Sequence, residues 1–94
     1  ESYILRARGD SMVDAGIDDG DYIVVENRQN ANRDEIVVAL DEEGANTLKR
    51  LKGINKKTKK VILAYENQAV YPDKTLEMDQ MRIQGVAKFV IKKL

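Results

Sequence analysis

Apolar residues in this chain come in short bursts rich in valine and isoleucine, and Gly, Asn or Asp interrupts them every 8 to 15 residues. Bursts of that length fall short of a helix and suit strands, where β-branched side chains fit a pleated, half-buried surface. The expectation is a mostly β fold of short antiparallel strands with little helix. "YILRAR" (3–8) reads as the first strand, and a turn over Asp18 to Asp21 leads into a second over Tyr22 to Glu26. "IVVAL" (36–40) is almost entirely apolar, which predicts a central strand. The turn formers of "DEEGAN" (41–46) should join it to "NTLKRL" as an antiparallel hairpin. "KGINKKTKK" (52–60) reads as the next turn, followed by "VILAY" (61–65), "LEMDQMRIQG" and the closing run "VAKFVIKKL". Helical periodicity is weak throughout. The best short candidate is "SMVDAG", in which Asp10 could cap a first turn and Gly16 end it, leaving Ser11 at a strand-to-helix junction.

With 94 residues, 43% of them hydrophobic, and no linker, repeat or low-complexity tract, one domain over 1–94 is expected. Sixteen basic and sixteen acidic residues cancel, so no overall field draws the chain to nucleic acid or an anionic membrane. No apolar run approaches the roughly 18 residues of a membrane span, and the first residues lack the order of a signal peptide. The absence of cysteine excludes disulfides and thiolate chemistry and suits a reducing compartment such as the cytoplasm. The absence of histidine constrains chemistry further. Neither a Ser-His-Asp triad nor an ordinary zinc site can be built without imidazole or thiolate. If Ser11 is a nucleophile, its base must be a lysine or a carboxylate.

A strand period of two places Thr47, Lys49 and Leu51 on one face and Asn46, Leu48 and Arg50 on the other. Lysine on an apolar face loses hydration of its charged form, which lowers its pKa from about 10.4 toward the 7 to 8 that suits a general base. Taken singly, Lys49 also reads as a snorkelling surface lysine and Ser11 as a turn or cap residue. Asp14, Asp18, Asp19 and Asp21 miss the spacing of a calcium loop and read as turn residues. Lys52, Lys56, Lys57, Lys59 and Lys60 make a basic hairpin, either a solvated turn or a phosphate contact.

Six motifs follow one another at short spacings: "GDSM" after a strand, "GDYIVV", "DEIVVA", "TLKRL", "LAYEN" with "YP" just after, and "IQGVAKFVI". In that order the chain resembles, over almost its whole length, the C-terminal autoprotease domain shared by LexA, UmuD and lambda-type phage repressors. The resemblance implies a mostly β, LexA and signal-peptidase-like fold and a Ser-Lys dyad that cuts the protein's own upstream hinge. It matches Ser11 with the nucleophile, Lys49 with the general base, and the backbone amides of Asp10 and Ser11 with the oxyanion hole. Thr47 could aim the amine, and Met12 is expected to pack beside the site.

The resemblance further implies a repressor cleaved in the response to DNA damage, with a RecA filament as co-protease. It implies homodimerisation through the C-terminal strand, and DNA contact only through an N-terminal part outside these residues. It implies no metal, cofactor or membrane association. A UmuD-like polymerase accessory protein and a catalytically silent dimerisation module remain alternatives, and a signal-peptidase relative would need a membrane anchor. Two departures stand out. Asp10 puts a charge before the serine, where the family often has a small or apolar residue, and the only Ala-Gly pair, Ala15-Gly16, lies beyond the nucleophile. The second departure suggests a truncated or processed form.

Overall fold

The computed structural model describes residues 1–40, 43–67 and 69–94. They form β1 (Ser2–Arg6), β2 (Tyr22–Glu26), β3 (Ile36–Leu40), β4 (Asn46–Asn55), β5 (Lys60–Ala64), β6 (Lys74–Glu77) and β7 (Arg82–Ile91). Two single 3-10 turns, Val13–Ala15 and Met78–Gln80, are the only helix among the described residues. All pairings are antiparallel, in one seven-stranded sheet of order β1-β2-β7-β3-β4-β5-β6. The fold is the mostly β arrangement that the rhythm of the sequence predicts.

β3 is the fourth of the seven strands, central as its composition suggests. Successive side chains on a strand point to opposite faces, and β3 buries both. Val38 packs with Ala7, Met12, Ile17, Ile23 and Val25 in one core cluster, whereas Val37 and Ala39 pack with Val61, Leu63 and Val86 in another. β4, joined to β3 as the expected hairpin with Val37 opposite Lys49 and Ala39 opposite Thr47, does the same. Leu48 enters the first cluster and Leu51 the second. The fully buried Leu51, Ile23 and Val37 would each contribute roughly 1.5–3 kcal/mol of burial energy.

Two local readings are corrected. The segment 52–60 is mostly strand: β4 continues to Asn55 and β5 starts at Lys60, because Gly53 is buried and Ile54 packs against the second cluster. The turn shrinks to its lysine-rich tip, where Asn55 Oδ1 accepts the N–H groups of Lys57 (3.0 Å) and Thr58 (3.1 Å). The helix candidate is only the 3-10 turn Val13–Ala15. Its N-cap is Met12, with no side-chain cap bond, and Asp10 is used elsewhere. Gly16 does end it, at φ +80° with its N–H on the Val13 carbonyl. Asp41 and Glu42, in the hairpin connection, lie outside the described residues.

β7 lies inside the sheet. Its residues 82–86 pair with β3 and residues 86–91 with β2. Gly85 is required where these pairings meet: an added Cβ would stand 2.4 Å from Val25 Cγ1 and 2.7 Å from the Glu26 carbonyl. The aspartates of the 18–21 turn serve turn chemistry, Asp21 Oδ2 accepting the Asp18 N–H (2.8 Å) and Asp19 Oδ1 the Gly9 N–H (2.7 Å). Lys92 pins the end of the chain to this turn through Asp21 (2.5 Å) and Asp18 (3.0 Å).

Candidate active site

Lys49 and Thr47 share the face of β4 that the strand period assigns them. Lys49 is 5% exposed, although its side chain ends in an ammonium in water. Its Nζ donates a hydrogen bond to Thr47 Oγ1 and sits over the Tyr65 ring, 4.3 Å from the centroid. Tyr65 reaches that place because β5 runs antiparallel to β4 with Ala64 opposite Arg50, so the next residue stands level with Lys49. Beside the amine is a cavity of about 200 Å³ whose wall includes Leu40, Leu63, Leu76 and Met81. The cavity joins this apolar wall to the polar side chains of Thr47, Lys49, Glu43, Tyr65 and Lys74, a mixed lining that can hold and orient a ligand.

Ser11 lies half-buried in the turn between β1 and the first 3-10 turn. Its carbonyl accepts the Glu66 N–H (2.9 Å), and the Glu66 carbonyl accepts the Asp14 N–H (2.7 Å). Asn67 Nδ2 donates to the Asp10 carbonyl (3.1 Å). The serine turn is thereby laced to the chain directly after Tyr65. Ser11 also borders a second cavity, of about 230 Å³, with Leu5, Ala7, Asn46, Thr47 and Leu48. Ser11 and Lys49, 38 residues apart in sequence, line different cavities, and two features connect those surroundings. One is Thr47, which borders both cavities, and the other is the Tyr65-Glu66 step.

Among the described residues, the Asp10 and Ser11 N–H groups take no hydrogen-bond partner, while those of Gly9, Val13 and Asp14 do. Unpaired amides in a turn can stabilise an oxyanion. The charge of Asp10 is directed elsewhere: its carboxylate accepts the Tyr71 hydroxyl (2.9 Å), and that bond pushes the Tyr71 phenol above its ordinary pKa. Met12 is buried in the first core cluster with Ala7 and Ile17.

Sequence reasoning missed Tyr65, Tyr71 and Asn67 as parts of the site. Their rings stack, centroids 4.9 Å apart for Tyr65 and Tyr71, and Arg50 pairs with Glu66 close by. All but Arg50 fall in or beside the "LAYEN" and "YP" motifs, which were the available signal.

A lysine amine held away from water on a strand, in a chain with neither imidazole nor thiol, is a kind of base open to a serine peptidase that lacks histidine. The Peptidase S24-like family model matches residues 1–88, and the chain belongs to this family. A curated relative, the LexA repressor of Ruegeria sp. (strain TM1040), is 42% identical over 85 residues, which cover 90% of this chain and 34% of the repressor. The chain thus spans about a third of that relative's length.

Proposed function

We propose that this chain is the self-cleaving part of a LexA-like repressor, with Ser11 as nucleophile and Lys49 as general base. The observation that carries the reading is the burial of Lys49 with its amine bonded to Thr47, a residue that also borders the cavity Ser11 lines. Burial disfavours the ammonium and so favours the neutral amine that a base needs. The neutral Lys49 takes the Ser11 hydroxyl proton as Oγ attacks the scissile carbonyl. Charge gathers on the carbonyl oxygen, which the Asp10 and Ser11 amides receive. The C–N bond then breaks, Lys49 gives its proton to the departing amine, and an ester on Ser11 remains. Water, deprotonated in turn by Lys49, hydrolyses that ester. A substrate tethered in the same chain raises the effective concentration enough for a dyad to turn over once on a useful timescale.

The bond cut belongs to an upstream hinge, and cleavage separates this part from a DNA-binding segment. A RecA filament acts as co-protease during DNA damage by favouring the cleavable form. The absence of cysteine, and the absence among described residues of a helix long and apolar enough to cross a membrane, agree with a cytoplasmic setting. Dimerisation uses the end of β7, where residues beyond Val86 pair with β2 alone and Phe89 and Ile91 are exposed beside Tyr22 and Ile4. An unpaired edge next to an apolar face fits a second copy.

The test is cleavage of the chain carrying an upstream segment with an Ala-Gly bond, followed from pH 7 to 10 with and without a RecA filament. The parent is expected to cut faster as pH rises, and Ser11→Ala and Lys49→Ala to stay intact. Equal cleavage in all three would refute the dyad.

A further inference from the structure

Four groups form an unbroken series between the two halves of the site. Lys49 Nζ rests on the Tyr65 ring, Tyr65 stacks on Tyr71 with an interplanar angle of 29°, and the Tyr71 hydroxyl donates to Asp10, the residue before Ser11. Tyr65 and Tyr71 are both half-buried, and neither belongs to the core clusters. Their arrangement therefore needs an explanation other than core packing. We propose that Tyr65 and Tyr71 are positioning residues of the Ser-Lys reaction, Tyr65 seating the amine of Lys49 and Tyr71 anchoring that ring to the Asp10-Ser11 turn. The proposal rests on the dyad reading above and adds to it.

The two rings have separable effects. A ring face attracts a cation and is indifferent to a neutral amine. Tyr65 thus favours the ammonium, opposes the desolvation that burial imposes, and sets the pH at which the amine becomes a base. Tyr71 touches no reacting group. Its hydroxyl fixes where the serine turn sits, which affects rate at every pH. Among the described residues, the other charged groups lining the Lys49 cavity are Glu43 and Lys74. Arg50, next on β4, is paired with Glu66, and Asp10 stands at the far end of the series. These are present in every variant below, so they cancel in the comparison.

The 94-residue chain can be tested directly with diisopropyl fluorophosphate, whose phosphorus is captured by a serine oxygen as fluoride leaves; mass spectrometry follows the labelling rate against pH. Tyr65→Leu should lower the midpoint of the pH profile by about one unit, equivalent to about 1.4 kcal/mol and in keeping with a partly desolvated cation-ring contact. Tyr65→Phe keeps the ring and should keep the parent midpoint. Tyr71→Phe keeps the stack and loses the bond to Asp10; its plateau rate should fall about two- to tenfold with the midpoint unmoved. An unmoved midpoint in Tyr65→Leu, a shift in Tyr65→Phe as large as in Tyr65→Leu, or a parental plateau in Tyr71→Phe overturns the proposal. The last arm decides should Tyr65→Leu fail to fold. Ser11→Ala and Lys49→Ala run alongside. Undiminished labelling in either one overturns the dyad and the proposal with it, whereas silent controls with unmoved tyrosine variants overturn the tyrosine roles alone.

Discussion

Replacing Lys49 with methionine should leave the protein inert and make it more stable at neutral pH. The proposed role requires Lys49 to be neutral near pH 7 to 8, about three units below the ordinary value of about 10.4, and at about 1.36 kcal/mol per unit that requirement would cost the fold about 4 kcal/mol. The sign follows from proton binding. The unfolded chain holds this proton more tightly than the folded one, so the destabilisation is full below the folded pKa and disappears above about 10.4. Methionine keeps the unbranched stem and suits the apolar side of the cavity. It costs about 1 kcal/mol for the partner taken from Thr47, so the variant should gain about 2 to 3 kcal/mol at pH 7. Urea unfolding of both proteins at pH 7 and pH 10.5 measures this directly. The parent should gain about 3 kcal/mol relative to Lys49→Met on going to the higher pH, because every other titrating group is common to both. Parallel pH dependences would refute the claim that position 49 stores a desolvated amine, whatever the cleavage assay shows.

Other consequences of the fold can be measured with the same unfolding curves. Gly85→Ala forces a methyl against Val25 and the Glu26 carbonyl; it should cost about 2–3 kcal/mol and lower the melting temperature by about 10 °C or more, and an unchanged melt would contradict the close approach of β7 to β2. Leu51→Ala empties a fully buried position of the second cluster and should cost about 2–5 kcal/mol, read as a shift in urea midpoint. Asp21 is held below the ordinary carboxylate pKa, first by its bond to Lys92 and then by the Asp18 N–H. Its contribution is therefore present above about pH 3.9 and is lost as pH falls through the folded pKa. Asp21→Asn should flatten that part of the acid unfolding curve, and an identical curve would dismiss the pairing.

Much of this molecule could be read from the chain because its local signals are strong. The apolar run 36–40 is buried on both sides, and a run of five such residues belongs in the middle of a sheet. The alternation of 46–51 gave the correct face to Lys49, since a pleat leaves no choice once Leu51 points inward. What was hidden depends on partners distant in sequence. "VAKFVIKKL" has the same composition whether it closes a sheet or sits inside one, and only the gap between β2 and β3 decides that it sits inside. The lysine-rich stretch 52–60 looked like a turn because its charges lie on exposed positions, while Gly53 and Ile54 carry the strand past them. Asp10 looked like a helix cap, and it is claimed by a tyrosine 61 residues away.

The two-sided burial of β4 explains how a domain this small can keep an amine out of water. Leu48 anchors the strand in one core and Leu51 in the other, so the backbone at Lys49 cannot rotate its side chain toward solvent without withdrawing one of two buried leucines. Either withdrawal would forfeit roughly 1.5–3 kcal/mol of burial, which offsets much of the desolvation it would relieve. The strand's two buried leucines therefore help to hold the lysine in place. Thr47 and the Tyr65 ring then orient its amine, one by a hydrogen bond and the other by an aromatic face.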